Sequence, residues 1–358
     1  MKVLIAAGGT GGHIYPGIAV AKELLRRDPE TEVIFVGTAR GLETRIVPES
    51  GFQLSLIHSA GLKNVGRVQR LKGLVVLPRS FVEARQLIRN FRPHVVVGAG
   101  GYVSGPVLLM ARVMGVPTMV MDSNALPGFT NRQLARFVDR AALTFEAALP
   151  YFGNKGVVIG NPVRQEFFEV PSKERSETFH ILIFGGSQGA RAINNAMAEA
   201  LESLKPLADR IKITHQTGES DLPRIRDAYE ASEFHSSDVR PFISDMAGEF
   251  AKADLIISRA GATTCAELAA AGKASIMIPL PTAADDHQRK NAEAMQDGGA
   301  SIMILQRDLT GEALAKEVMR LAGEPETVTK MEDAARSLAK GDAAERAADL
   351  IDELRRNV

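Results

Sequence analysis

The chain has 358 residues, 45% of them hydrophobic and 24% charged, with 43 Lys and Arg balancing 43 Asp and Glu. That length allows two ordinary domains with separate cores, and the even balance provides no bulk basic field for nucleic acid. The single cysteine, Cys265, excludes an internal disulfide framework and fits a reducing compartment; without an apolar stretch of about 18 residues no membrane span is expected, and no signal peptide is expected either.

Lys2 to Ala7 reads as a strand buried on both faces, because the run is apolar and a helical pattern follows. Gly8-Gly9-Thr10-Gly11-Gly12-His13 reads as a loop, and Ile18 to Arg27 as a helix with Pro16 in its first turn. Four glycines in five residues allow close approach of a ligand to backbone N–H groups. The helix N-terminus behind them suits a phosphate or another anion. His13 ends the loop, where open α/β sheets bind ligands. It is either an acid–base group or a capping residue.

Further strands are predicted at Glu32–Gly37, Gln53–His58, His94–Gly98 and Thr118–Asp122. The second ends in Gly37-Thr38-Ala39-Arg40, with no acid at its tip. The fourth runs into a second glycine loop, Gly98 to Pro106, with a helix from about Val107. Between Gly61 and Arg92, the basic residues Lys63, Arg67, Arg70, Lys72 and Arg79 alternate with Val68, Leu71, Leu74, Val75, Val76, Leu77 and Phe81. This is either an amphipathic helix on the sheet or a segment that lies on an anionic membrane surface.

Turn chemistry and polar residues from Gly160 to Phe179 mark a junction. The opening theme then recurs: a strand His180–Phe184, a glycine loop Gly185–Ala190 containing Ser187, and a helix Arg191–Leu204. Strands follow at Ile211–Gln216, Ala253–Arg259, Ala274–Pro279 and Ala300–Ile304, and Val239–Ile243 leads into a further helix. A helix after Gly261 carries Glu267, another opens near Arg289, and the remainder is helical and charged. The expected fold class is α/β, with two doubly wound parallel-sheet domains facing each other.

Familiar nucleotide motifs fail. The dinucleotide fingerprint needs a sixth-position glycine, but Ile14 and Val103 stand there when counted from Gly9 and Gly98. There is no P-loop, no Asp-x-Asp pair and no ligand spacing around the cysteine, so no metal site is expected. Glu267 can accept two hydrogen bonds from a vicinal diol such as a ribose, or merely complement a helix dipole.

Gly8 to Gly17, Gly98 to Pro106, Gly160 to Arg164 and Gly185 to Ala190 stand in an order that resembles the MurG family, the bacterial N-acetylglucosaminyltransferases of glycosyltransferase family 28. Gly261 to Glu267 and Asp286-His287-Gln288 resemble that family's donor-site motifs. The resemblance implies a GT-B fold: two Rossmann-like domains across a cleft. Residues 1–162 would bind the acceptor and 163–340 the UDP-sugar, with the helix 341–358 packing back on the first.

It also implies the reaction. GlcNAc would pass from UDP-N-acetylglucosamine to the C4 hydroxyl of the MurNAc of lipid I (undecaprenyl-diphosphate-linked MurNAc-pentapeptide). This inverting step would need no metal or cofactor and would take place at the inner face of the cytoplasmic membrane. His13 would be the general base. Thr10, Gly11, Gly12 and Asn124 would border the reacting centre, and Gly100, Gly101, Tyr102 and Ser104 would hold the acceptor. Glu267 would take the ribose, backbone groups at Ile243 the uracil with Arg164 nearby, and Ser187 the diphosphate. Ala262, Thr263 and Thr264 would complete the donor site, with Gln288 and His287 reading the sugar.

The chain has Asp122-Ser123-Asn124 where the family has Glu-Gln-Asn, which leaves the role of Asp122 open. Competing readings are another GT-B enzyme, such as a sugar-nucleotide 2-epimerase, and a UDP-sugar-binding subunit without catalysis. The first two glycine loops favour the lipid II-forming family; His13 and Asn124 favour catalysis.

Overall fold

The computed structural model describes residues 1–59, 67–124, 126–174, 176–186, 188–283 and 286–356, with only the backbone path between 67 and 75. Two expectations therefore lie outside the described residues or side chains: the diphosphate contact of Ser187, and most of the basic segment, from Lys63 to Val75. The chain forms two compact units, Met1–Arg164 with Gly341–Val358, and Gln165–Lys340.

The first unit alternates strand and helix: β1 (Lys2–Ala7), α1 (Gly11–Arg27), β2 (Glu32–Gly37), α2 (Glu43–Glu49), β3 (Gln53–Leu56) and α3 (Arg67–Phe91). β4 (Val95–Gly100), α4 (Ser104–Val113), β5 (Thr118–Asp122), α5 (Phe129–Leu134), β6 (Arg140–Leu143), α6 (Leu149–Phe152) and β7 (Gly156–Val158) follow. Seven parallel strands lie in the order β3-β2-β1-β4-β5-β6-β7. The direction of winding reverses between β1 and β4, the topological switch point where such sheets bind ligands. The period-2 alternation of β1 explains its burial. Val3, Ile5 and Ala7 enter one core with Ile14 and Ile18 of α1, while Leu4 and Ala6 enter the other with Val107 and Leu108 of α4.

The second unit repeats the plan: β8 (Phe179–Phe184), α7 (Arg191–Leu204), β9 (Ile211–Gln216), α8 (Leu222–Glu230), β10 (Asp238–Arg240), α9 (Met246–Lys252) and β11 (Leu255–Ser258). α10 (Ala262–Ala271), β12 (Ser275–Met277), α11 (His287–Asp297), β13 (Ser301–Met303), α12 (Gly311–Gly323) and α13 (Pro325–Ser337) complete it. Its six parallel strands run β10-β9-β8-β11-β12-β13, with the switch point between β8 and β11. The last helix, α14 (Ala343–Arg356), belongs to the first unit, where Ala347, Ala348, Ile351 and Leu354 join the core around α1.

Several boundaries differ from those expected. α1 opens at Gly11, not Ile18, because Thr10 is already the extended N-cap residue at φ −124° and ψ 157°. His13 is therefore in the first helical turn and Pro16 lies beyond it. α4 likewise opens at Ser104. Strands β6 and β7, absent from the sequence reading, extend the first sheet at one edge. Among the described residues, no helix is long and apolar enough to cross a membrane.

Candidate active site

In the first unit, the loops after β1, β4 and β5 meet at the switch point. His13 donates from Nδ1 to the Gly8 carbonyl at 3.1 Å. A carbonyl only accepts, so this bond fixes the tautomer and leaves Nε2 as the acceptor. Burial lowers the pKa of His13 below its ordinary value, while the Gly8 carbonyl, Asp122 and Glu43 pull it partly back up. The imidazole is thus neutral at pH 7. The loop after β4 closes over it. A Cβ on Gly100, at φ +122°, would lie 2.4 Å from His13 Cδ2, and one on Gly101 would lie 2.4 Å from the Gly8 oxygen. Only glycine permits this approach.

Ser104 is fully buried. Its hydroxyl donates to the Ala6 carbonyl at 3.0 Å and accepts from the Gly100 N–H at 3.2 Å. The side chain therefore ties β1 to the β4 loop. Tyr102 is 56% exposed, and its carbonyl accepts from the Ser59 hydroxyl. Asp122, nearly buried at the end of β5, accepts from the Asn124 and Gly128 N–H groups at 2.9 and 3.0 Å and from the Asn131 amide at 2.8 Å. Burial pushes its carboxyl upward and these donors oppose the shift. Asp122 therefore shapes the loop that carries Asn124. Arg164 is nearly buried, with its guanidinium over the Tyr15 ring at 4.1 Å.

Two residues of these loops, Glu43 and Gln216, are not among the expected site residues. Glu43, wholly buried, lies at the tip of β2 in space, although the sequence places no acid there. The chain turns through Gly37 to Leu42 and α2 returns the carboxylate, which accepts from the Gly9 and Thr38 N–H groups at 2.9 and 2.8 Å. The available signal was Gly37 and Gly41 on either side of the turn: a Cβ on either would strike Glu43.

In the second unit, the loop after β8 is held by Gln216, whose amide donates to the Gly186 carbonyl at 2.9 Å and accepts from the Ile243 N–H at 2.7 Å. That bond occupies the Ile243 N–H in this structure and leaves its carbonyl for a base. Ala262, Thr263 and Thr264 form the half-buried first turn of α10, with Glu267 buried one turn on. The side-chain oxygen of Gln288 accepts from the Leu280 N–H at 3.0 Å, so its amide N–H groups are the side that can meet a sugar. His287 opens α11 beside it, after Asp286 in the left-handed conformation at φ 56°. Among the described residues, no group of three His, Cys, Asp or Glu is placed to hold a metal ion.

Two doubly wound sheets, each with a glycine loop at its switch point, define the GT-B class of glycosyltransferase fold. Residues 3–143 match the glycosyltransferase family 28 N-terminal domain and 180–354 the glycosyltransferase family 28 C-terminal domain. The UDP-N-acetylglucosamine–N-acetylmuramyl-(pentapeptide) pyrophosphoryl-undecaprenol N-acetylglucosamine transferase of Myxococcus xanthus is 48% identical, over 99% of this chain and 93% of the relative. That of Geobacter sulfurreducens is 46% identical, over 99% and 98%. The crystal structure of Acinetobacter baumannii MurG has a TM-score of 0.75 at 32% identity, over 98% of this chain and 99% of that one. A UDP-GlcNAc 2-epimerase from Neisseria meningitidis shares the fold alone, at 14% identity and TM-score 0.69 over 99% and 100%. The chain belongs to glycosyltransferase family 28, and to the MurG family within it.

Proposed function

We infer that the chain transfers GlcNAc from UDP-GlcNAc to the C4 hydroxyl of the MurNAc of lipid I, giving lipid II and UDP in peptidoglycan precursor synthesis. The observation that carries this reading is 48% identity to such a transferase across almost the whole chain. The first unit takes the acceptor and the second the UDP-sugar. The geometry supports His13 as the base: Nδ1 is held by Gly8, and Nε2 accepts the C4 proton as that oxygen attacks the anomeric carbon. The bond to UDP breaks as the new bond forms, on the opposite face, so configuration inverts to β-1,4. Loop N–H groups before α7 and the positive end of that helix meet the charge that develops on UDP. Glu267 takes the ribose diol, the Ile243 carbonyl the uracil and Gln288 the sugar, with Arg164 and the first turn of α10 at the donor.

The acceptor carries an undecaprenyl chain. The protein therefore works peripherally at the cytoplasmic face of the membrane, docked through the segment around Val76 and Leu77. The deciding assay is UDP release from UDP-GlcNAc, with and without a soluble lipid I analogue, in EDTA. Acceptor-dependent release is expected. Release without acceptor would indicate a hydrolase or an epimerase-type activity, and tight binding without release a non-catalytic UDP-sugar-binding protein.

A further inference from the structure

A single peptide unit stands between Glu43 and His13. The Gly8–Gly9 amide is planar, so its C=O and N–H point in opposite directions. The N–H, on Gly9, donates to Glu43 Oε2 at 2.9 Å, and the C=O, on Gly8, accepts from His13 Nδ1 at 3.1 Å. Carboxylate and imidazole are thereby joined in series through one amide.

The surroundings of Glu43 are built to keep its carboxylate there. It is 0% exposed, and its other oxygen, Oε1, accepts from both the N–H and the hydroxyl of Thr38 at 2.8 Å. A Cβ on Gly41 would lie 1.9 Å from Oε2, one on Gly37 2.4 Å from Cγ, and one on Gly8 2.9 Å from Oε1. Three glycines thus leave the space that the carboxylate fills. Burying a carboxylate is costly unless it is hydrogen-bonded, and its partner outside the β2–α2 turn is the peptide that holds His13.

We propose that Glu43 is a positioning residue for the transfer: through the Gly8–Gly9 peptide it fixes His13 with Nε2 as the accepting nitrogen and strengthens the Gly8 carbonyl as partner of Nδ1–H. This rests on the reading of His13 as the general base. Hydrogen bonds in series polarise one another, and an anion behind the held nitrogen makes the other nitrogen a better base. Two carboxylates bear on His13, Glu43 from α2 and Asp122 from the end of β5. The Arg164 guanidinium lies over Tyr15, two residues along α1.

The test is the pH dependence of kcat in Glu43→Gln and Thr38→Val. A glutamine cannot accept at both ends, so it presents a donor to either Gly9 or Thr38. Glu43→Gln is expected to lower kcat about tenfold or more, yet less than His13→Ala does. Its acid limb moves to lower pH, and KM for UDP-GlcNAc is little changed. Thr38→Val withdraws one bond from Oε1 and leaves more charge for Gly9, so its acid limb moves to higher pH. A residue that only braced the fold would leave the acid limb in place in both variants, and that result overturns the proposal. In the double variant, Glu43→Gln should cost nothing beyond His13→Ala; additive losses overturn it too. Should Glu43→Gln not fold, Thr38→Val and the nitrogen-15 spectrum of the wild-type histidines decide. A His13 protonated on Nε2 and bare on Nδ1 refutes the relay. Wild-type turnover in His13→Ala would instead remove the base reading itself.

Discussion

Gly101 stands directly over the carbonyl of Gly8, so close that a Cβ on Gly101 would lie 2.4 Å from that oxygen. The same oxygen holds Nδ1 of His13, so the loop after β4 and the imidazole on α1 share one carbonyl. Gly101→Ala should displace that carbonyl and misalign Nε2. It also forces a side chain to φ +84°, at a cost of about 1–2 kcal/mol. The expected outcome is a severe loss of kcat, with UDP-GlcNAc affinity, measured by calorimetry, close to wild type. A normal kcat would separate the β4 loop from the alignment of His13.

Much of this architecture can be read from the chain, and the parts that cannot share a physical cause. Val3 to Ala7 and Val95 to Val97 are unbroken apolar runs that end in glycines, so both the strands and the ligand loops are visible. Arg140-Ala141-Ala142-Leu143 and Gly156-Val157-Val158 are short and become strands only because a sheet edge is there to pair with: β5 offers it to β6, and β6 in turn to β7. The starts of α1 and α4 read too late because glycine is a poor helix former, whereas the packed β4 loop stabilises those first turns. Within the site, residues in and beside the glycine loops are legible. Glu43 and Gln216 are not, because the loop partners that define them, Gly9 and Gly186, lie 34 and 30 residues away; the local trace of Glu43 is only the pair Gly37 and Gly41 around its turn.

Gln216 joins the Gly186 carbonyl to the Ile243 N–H, and is itself 1% exposed. The glycine loop and the segment assigned to the uracil are therefore linked through one side chain. Gln216→Leu keeps the bulk and strands a buried donor and an acceptor, each worth about 1–3 kcal/mol. Binding of UDP-GlcNAc should weaken by roughly tenfold or more, while KM for a soluble acceptor analogue stays near wild type. An unchanged dissociation constant would mean that the two segments are held by other contacts.

Glu267 is buried one turn into α10 and is assigned to the ribose hydroxyls. Charge-assisted hydrogen bonds of this kind contribute about 1.5–3 kcal/mol. Glu267→Ala should weaken UDP-GlcNAc binding accordingly, and binding of a 2′,3′-dideoxy analogue should be nearly indifferent to the change. Equal losses for both ligands would argue for a helix-terminus role with no diol contact.

The helix α14 is fastened to the first unit in two ways. Arg27 pairs with Asp349 at 2.7 Å and Arg140 with Glu353 at 2.5 Å, both at the surface. Ile351 and Leu354 lie in the core. Exposed pairs contribute little, whereas truncating a buried isoleucine costs about 2–5 kcal/mol. Ile351→Ala should shift the urea midpoint far more than Asp349→Ala. The reverse order would make the ion pairs the main fastening.

His215, 0% exposed in β9, sits in a buried chain of hydrogen bonds. Asn194 donates through its amide to the Thr217 carbonyl at 2.9 Å and to Asp221 at 2.8 Å, which turns its oxygen toward His215 Nε2 at 3.1 Å. Nε2 therefore carries the proton, and Nδ1 accepts from the Tyr229 hydroxyl at 3.1 Å. Burial pushes the imidazole down to about 3, well below its unfolded value of about 6.5. The unfolded chain consequently binds the proton first. Stability from this group is complete above pH ~6.5 and is lost as pH falls toward the folded value, by about 1.4 kcal/mol per pH unit. His13 and His180, also lowered by burial, act in the same direction. Urea midpoints at pH 7, 6 and 5 should fall steadily, and His215→Leu, destabilised at pH 7, should show a shallower fall over the same window. Identical slopes in the two proteins would mean that His215 titrates normally and that the hydrogen-bond chain through Tyr229 and Asn194 does not hold it neutral.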